Sequence, residues 1–111
     1  MGFRVHLHLV SDATGETLES VVKAALAQFE GVDVAKHYWP MIRSPKQMER
    51  VMQDISERPG LVLYTLVNDS IRDVLQQTCR DLGLVSVSVL DPVIQALQPF
   101  LGVKAHGRPG R

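Results

Sequence analysis

The sequence has little cysteine and no excess of charge. Cys79 is the only cysteine among 111 residues, so an intramolecular disulfide is impossible and we expect a reduced, cytoplasmic setting. Twelve basic and twelve acidic residues give a formal net charge of zero. Because a balanced chain produces no overall field that attracts polyanions, we expect neither nucleic acid nor an anionic membrane as a partner.

Long hydrophobic runs are also absent. No segment approaches the roughly 18 consecutive apolar residues of a transmembrane helix. The apolar start of the chain is short, alternates with His6 and His8, and has no small-residue cleavage site, which argues against a signal peptide. Length and composition predict one globular domain over residues 1–101. Residues 102–111 show no periodicity, and we expect a flexible tail or the start of a linker.

Hydrophobic residues follow two different periods along the chain. Period-two alternation and short apolar runs predict strands near residues 3–10, 32–39, 61–66 and 85–89, and stripes with helical spacing predict a helix after each strand. Such β-α alternation is typical of a parallel sheet with right-handed crossovers. The predicted fold class is therefore α/β: a four-stranded parallel sheet in the order 2-1-3-4, with helices on both faces, as in Rossmann-like and flavodoxin-like folds.

Capping residues mark the expected helix boundaries. Ser44 and Pro45 are suited to the start of the second helix, and Gln47 completes a capping box. Asn68 or a neighbouring aspartate is expected to cap the third helix. Asp91 followed by proline has the same cap-then-proline pattern at the fourth helix. Gly31 is expected to end the first helix, and Pro99 to kink or shorten the fourth.

Each predicted helix has an apolar stripe that is expected to pack on the sheet. The stripes comprise Leu18, Val21, Val22, Ala25, Leu26 and Phe29; Met48, Val51, Met52 and Ile55; Ile71, Val74, Leu75, Thr78, Cys79 and Leu82; and Val93, Ile94, Leu97, Phe100 and Leu101. Charged residues on the second and third helices, including Arg72, alternate in sign and are expected to be solvated.

Polar residues concentrate in the loops after the first, third and fourth strands. In open parallel sheets, ligands bind beyond the carboxyl ends of the strands, next to the switch in strand order. The loop Ser11–Thr17 is the richest in hydroxyls and carboxylates, and it leads into a helix whose first N–H groups favour an anion such as phosphate. The candidate ligand- or phosphate-binding residues are Ser11, Asp12, Thr14, Gly15, Thr17, Asn68 and Asp91.

A simpler interpretation of this loop stays open: one of its Asp, Ser or Thr side chains caps the following helix. Asp12 and Glu16 also repel a phosphate unless a cation intervenes. The loop matches neither GxGxxG nor GxxxxGK[ST], so no motif indicates dinucleotide or P-loop binding. The sequence assigns no catalytic residue.

The histidines and the cysteine have mainly structural interpretations. His6 and His8 share one face of the first strand at a spacing that suits two metal ligands. Because no third ligand is placed to complete a site, we expect them to contact a covering helix, and we expect no metal. Cys79 lies on the inward stripe of the third helix, which favours buried packing over a nucleophilic role.

The segment His8–Leu18 (HLVSDATGETL), followed by Ala27–Phe29 (AQF), resembles the N-terminal signature of the regulatory proteins of pyruvate, phosphate dikinase and phosphoenolpyruvate synthetase. Supporting matches are the YTLV run at the third strand, Leu90–Asp91, and the GRPGR tail at residues 107–111. The resemblance covers essentially the whole chain, and SDxTGET is its most specific string.

The resemblance implies a bifunctional serine/threonine kinase and phosphorylase. It implies ADP-dependent phosphorylation of a threonine in the dikinase or synthetase, and phosphate-dependent removal of that group with release of pyrophosphate. ADP and inorganic phosphate would be substrates of the full-length protein. The family also carries a P-loop downstream of the matched segment. This chain has none, so it resembles an N-terminal portion, and we expect the fragment alone to have little kinase activity.

Two other functions are consistent with the sequence. The domain could act as a non-catalytic docking or homodimerisation module, in which the loop is only a helix cap. It could also be a free-standing flavodoxin-like domain that binds a small ligand.

Overall fold

The computed structural model describes residues 4–106 of the chain, and strands and helices alternate strictly through this range. The strands are β1 (Arg4–Ser11), β2 (Asp33–Trp39), β3 (Leu61–Thr65) and β4 (Ser86–Ser88). The helices are α1 (Glu16–Leu26), α2 (Pro45–Glu57), α3 (Asp69–Leu82) and α4 (Asp91–Leu101). Within this range, no helix combines the length and hydrophobicity that crossing a membrane requires.

The four strands form one parallel sheet in the order β2-β1-β3-β4, as the sequence predicts. Strand β2 lies on one side of β1, and β3 and β4 lie on the other side, so the strand order reverses between β1 and β3. In the register of the central pair, Ser11 at the end of β1 lies beside Thr65 at the end of β3. The polar loops that follow these two strands are therefore neighbours.

Helices cover both faces of the sheet, which confirms the predicted layers. On one face, α1 buries Leu18 and Val22 against Leu7 and Leu9 of β1. On the other face, α2 and α3 pack over side chains of β1 and β3. Their buried stripes are Met48, Val51, Met52 and Ile55, and Ile71, Leu75 and Cys79.

Two of the predicted helix starts are confirmed. The Ser44 hydroxyl accepts a hydrogen bond from the Gln47 N–H at 3.1 Å, and Pro45 is the first residue of α2. Gln47 Oε1 also accepts a hydrogen bond, but from the N–H of Arg43 rather than from that of Ser44. Asn68 caps α3 by accepting from the Ile71 N–H at 3.1 Å.

The prediction for the first helix is wrong at its C-terminal end. The helix stops at Leu26, five residues before Gly31, and Ala27 occupies the C-cap position. Phe29 consequently lies in the following turn and is 63% exposed instead of packing inward. Val21 is also 41% exposed. An apolar period by itself does not show where a helix ends or which of its apolar side chains another element covers.

The fourth helix also differs from its prediction. Pro99 does not shorten α4, which continues to Leu101. Asp91 is not the N-cap: Leu90 holds that position without a side-chain cap, and the Asp91 carboxylate binds Arg72 instead. No residue of α4 is buried. Residues 102–106 are exposed, and the GRPGR match at 107–111 lies outside the described residues.

Candidate functional site

Ser11 joins the ends of the two central strands. It is 2% exposed, and its Oγ accepts hydrogen bonds from the Ala13 N–H at 3.0 Å and from the Thr65 hydroxyl at 3.2 Å. The first of these bonds turns the chain sharply out of β1. Ser11 therefore shapes the base of the loop, and both acceptor positions of its hydroxyl are filled by protein partners.

Asp12 connects the loop after β1 to the loop after β3. Its side chain is buried, with the residue only 3% exposed, and Oδ2 accepts a hydrogen bond from the Val67 N–H at 3.1 Å. The Asp12 N–H donates to the Thr65 carbonyl at 3.4 Å. Both interactions cross the point where the strand order reverses, so Asp12 sets the distance between the two walls of the candidate site.

The segment that follows β2 adds a third wall. The Met41 N–H donates to the Ala13 carbonyl at 2.9 Å, and the Ile42 N–H donates to the Ser11 carbonyl at 3.0 Å. Met41 has a φ of 57°, a left-handed conformation that is uncommon for a residue with a side chain. These bonds hold the segment against the loop Ser11–Thr17.

Arg43 is a residue of this site that sequence reasoning did not identify. Its Nε donates to the Asp12 carbonyl, and the rest of the side chain is exposed at the loop. The guanidinium places a positive charge beside the loop that carries Asp12 and Glu16, where it can offset their repulsion of an anion. Its only sequence signal is a position just beyond the second strand, because no motif links residue 43 to residue 12.

The outer surface of this region is formed by Thr14 and Gly15 of the loop and by Thr17 in the first turn of α1. Both threonines are exposed, and Gly15 is the N-cap of α1 with a φ of 88°. The expectation that an Asp, Ser or Thr of the loop caps this helix is wrong: α1 has no side-chain cap hydrogen bond. Thr14 Oγ1 makes only a long contact, 3.4 Å, with the Glu16 N–H. This surface can therefore present hydroxyls and backbone N–H groups to a ligand.

Asn68 and Asp91 lie on the side of the site toward β4. Asn68 uses its side chain to cap α3, whereas both Asp91 oxygens accept from Arg72 Nη1 at 2.8 Å. Arg72 also contacts Asp69 at 2.6 Å. Arg72 is thus a partner in an ion-pair network rather than a solvated surface charge. The network borders an open pocket of about 540 Å³, lined by Val67, Asp69, Arg72, Asp91, Ile94, Gln95, Gln98, Ala105 and His106.

A histidine cluster lies between β1 and β2, next to the C-terminal end of α2. His8 is buried; its Nδ1 accepts from Trp39 Nε1 at 3.1 Å, and its Nε2 donates to the Arg58 carbonyl at 2.7 Å. These partners fix His8 as the neutral tautomer that carries the proton on Nε2. Burial is the main reason that the pKa of His8 is lowered, and the neighbouring cationic groups add to the effect.

His37 completes this cluster, although its place in the sequence gave no indication of that. Its Nε2 lies 2.9 Å from His6 Nδ1, and its ring stacks on His8 with centroids 4.8 Å apart. Among the described residues, no group of three or more metal-ligating side chains forms a metal site. The prediction that both histidines contact a covering helix is confirmed only for His8, which binds the carbonyl of Arg58, the C-cap of α2. It is wrong for His6, which contacts His37 on the neighbouring strand.

Cys79 is packed in the core. It is 1% exposed, and burial raises the pKa of its thiol. A raised pKa keeps the thiol protonated and unreactive at neutral pH. The packing role predicted from the sequence is confirmed.

Matches to known proteins cover nearly the whole length of this chain. A family model described as kinase/pyrophosphorylase matches residues 7–111. Relatives named as pyruvate, phosphate dikinase regulatory proteins are 60% identical in Novosphingobium aromaticivorans, 59% in Rhizorhabdus wittichii and 46% in Brucella ovis. The matches cover 97%, 97% and 93% of this chain but only 39%, 39% and 37% of those relatives, so the chain spans about two fifths of their length. The chain belongs to the kinase/pyrophosphorylase family.

Proposed function

We propose that this chain forms the N-terminal part of a cytoplasmic regulatory protein that phosphorylates and dephosphorylates a threonine of its target enzyme. Pyruvate, phosphate dikinase is the favoured target because the relatives are named for its regulation. Phosphoenolpyruvate synthetase is the second candidate, because the SDxTGET string resembles the signature of regulatory proteins of both enzymes.

Two reactions make up the proposed activity. In the first, the threonine hydroxyl attacks the β-phosphorus of ADP, the bond to the bridging oxygen breaks, and AMP leaves while the threonine loses its proton. In the second, inorganic phosphate attacks the phosphothreonine, the threonine Oγ leaves with a proton, and pyrophosphate forms. The substrates implied for the full-length protein are therefore ADP and inorganic phosphate.

The loop Ser11–Thr17 is the part of this chain that we assign to the site. The observation that carries this assignment is the pair of exposed threonines, Thr14 and Thr17, on either side of the half-buried Gly15, next to the buried side chains of Ser11 and Asp12. Phosphoryl transfer depends mainly on positioning and on electrostatic stabilisation of the phosphoryl oxygens. A rigid loop with hydroxyls, a nearby guanidinium and uncapped helix N–H groups is suited to that task.

The chain lacks a GxxxxGK[ST] segment, the phosphate-binding P-loop that the family resemblance implies for the full-length protein. We therefore propose that the loop forms one wall of a site whose second wall belongs to the rest of the full-length protein. Residues 1–111 alone are expected to show almost no ADP-dependent phosphorylation of the target. Appreciable transfer by this chain alone would contradict the proposal.

The test uses a full-length chimera in which residues 1–111 replace the matching segment of the Novosphingobium aromaticivorans relative. Thr14→Ala and Thr17→Ala each remove one exposed hydroxyl, and Ser56→Ala is the control at the far end of α2. Loss of a hydrogen bond to a charged phosphate is expected to lower kcat/KM about tenfold or more in both reactions. The rates are measured by transfer of labelled phosphate and by release of pyrophosphate.

The same experiment distinguishes a docking module from a catalytic wall. If the threonine variants bind the target more weakly but retain their turnover at saturating target, the loop is a docking surface. If both variants match Ser56→Ala in binding and turnover, the loop has no part in the function.

A further inference from the structure

The apolar stripe of α4 has no partner in the described part of the chain. Four side chains at helical spacing are exposed: Val93 by 55%, Leu97 by 47%, Phe100 by 91% and Leu101 by 64%. An apolar groove of about 140 Å³ continues from this stripe, lined by Ile94, Leu97, Gln98, Leu101, Val103, Lys104 and Ala105. Contiguous exposed apolar surface of this kind marks an interaction site in soluble proteins.

The adjacent edge of the sheet is equally uncovered. Strand β4 has only three residues and pairs only with β3 among residues 4–106. Val87 within it is 42% exposed, and Val85 just before it is 66% exposed. Parallel sheets are normally covered on both faces, since their strands are apolar on both sides. The exposed valines show that the described residues leave apolar surface at β4 uncovered.

The start of α4 is nonetheless fixed in place. The contact from Arg72 Nη1 to both carboxylate oxygens of Asp91 joins α3 to α4, and the Asp91 N–H donates to Ser88 Oγ at 3.3 Å. The half-buried Ile94 and Gln98 line the pocket next to α3. The helix is thus held beside α3 while its main apolar stripe remains open.

This arrangement is that of a crossover helix without the strand that should follow it. In a parallel sheet, a helix packs over the strands that it connects, and the crossover is right-handed. The curated relatives are much longer than this chain, which covers 39% of the first two. The length outside the match is ample for a further strand and its covering elements.

We propose that the β4 edge and the α4 stripe form the docking surface for the remainder of the polypeptide in the full-length protein, and that a strand of that remainder pairs in parallel with β4. A second copy of this chain fits less well. A two-fold axis at this edge would pair β4 with itself in the antiparallel direction, and a three-residue strand offers few hydrogen bonds for such a pairing. The inference depends on family membership and not on the proposed chemistry.

The test compares the 111-residue chain with the full-length chimera described above, by amide hydrogen exchange. In the chimera, residues 86–88 and 93–101 are expected to exchange at least about tenfold more slowly than in the short chain, because docking protects them. Equal exchange rates in the two proteins would overturn the proposal. Protection of α4 that increases with the concentration of the 111-residue chain would also overturn the proposal, since a second copy would then occupy the surface.

A pair of matched variants locates the surface. Phe100→Asp is expected to lower the Tm of the chimera by several degrees and leave the Tm of the short chain unchanged. Phe29→Asp is the control, because Phe29 is also an exposed phenylalanine (63%) but lies in the turn after α1. It is expected to lower neither the Tm of the chimera nor that of the short chain. Equal effects of the two variants on the chimera would contradict this surface. Neither measurement requires catalytic activity, so a failure of the proposed chemistry does not affect the result.

Discussion

The carboxylate of Asp12 accepts a hydrogen bond from the backbone N–H of Val67 at 3.1 Å. The two residues follow β1 and β3, and they are brought together at the point where the order of the sheet reverses. A buried side chain thereby fixes the relative positions of the two loops where ligands bind in parallel α/β sheets.

Replacement of Asp12 should reduce stability through this one bond. Asp12→Ala leaves the Val67 N–H without its partner in a part-buried position, which costs about 1 to 3 kcal/mol of unfolding free energy. Thr14→Ala, at an exposed position of the same loop, is expected to change it by less than about 0.5 kcal/mol. Urea unfolding of the two variants measures the difference. Equal losses would show that the bond does not stabilise the loop.

The histidine cluster should make stability depend on pH. Burial lowers the pKa of His8, and that of His37, below the ordinary value of 6.5, so the unfolded state takes up protons first as the pH falls. The stabilisation is present above about pH 6.5 and decreases as the pH falls toward the folded-state pKa. Urea unfolding from pH 8 to pH 5 is expected to show this decrease. His8→Gln should flatten the slope, and an unchanged slope would exclude His8 as its source.

Gly60 should tolerate no side chain. A Cβ at this position would lie 2.0 Å from the backbone oxygen of His6, so the neighbouring strand would have to move. Gly60→Ala is expected to cost at least about 3 kcal/mol of unfolding free energy. Gly31→Ala, in open space but with a φ of 69°, is expected to cost only about 1 kcal/mol. A smaller loss at residue 60 than at residue 31 would contradict the close packing.

Removal of the Arg72 guanidinium should loosen α4. Arg72→Gln removes the Nη1 group that contacts both oxygens of Asp91, whose side chain is 22% exposed, and α4 has no buried side chain to hold it. Hydrogen exchange in residues 91–101 of the 111-residue chain is expected to accelerate about fivefold, which corresponds to about 1 kcal/mol. Arg80→Gln is the control, because it removes a surface contact with Gln77 within α3, the helix that also carries Arg72. Equal exchange in both variants would show that the ion pair does not anchor the helix.

Cys79 should be inert in the folded protein. Because Cys79 is 1% exposed, and because burial also raises the pKa of its thiol, native protein is expected to react with a disulfide reagent such as DTNB only as fast as it unfolds. Ser56→Cys introduces an exposed thiol on α2 that should react within the mixing time. Rapid modification of two thiols per molecule of this variant would show that Cys79 is accessible.

The sequence was sufficient to predict the features that arise from local patterns. The apolar periods of 2 and 3.6 predicted the alternation of strands and helices, and right-handed crossovers then restricted the strand order. Met48, Val51, Met52 and Ile55 lie buried at the predicted spacing. Ser44 and Asn68 cap the helices at which they were placed, because a cap needs only its own side chain and an N–H three residues later.

Tertiary structure alone decided which distant residues meet and which apolar surfaces are covered. Arg43 reaches the Asp12 carbonyl, His37 joins His6, and Phe29 and the α4 stripe stay exposed. Local periodicity marks a face as apolar, but it does not specify whether another element lies against that face. That outcome depends on strand register and on how far the sheet extends, and both are set by contacts between residues tens of positions apart.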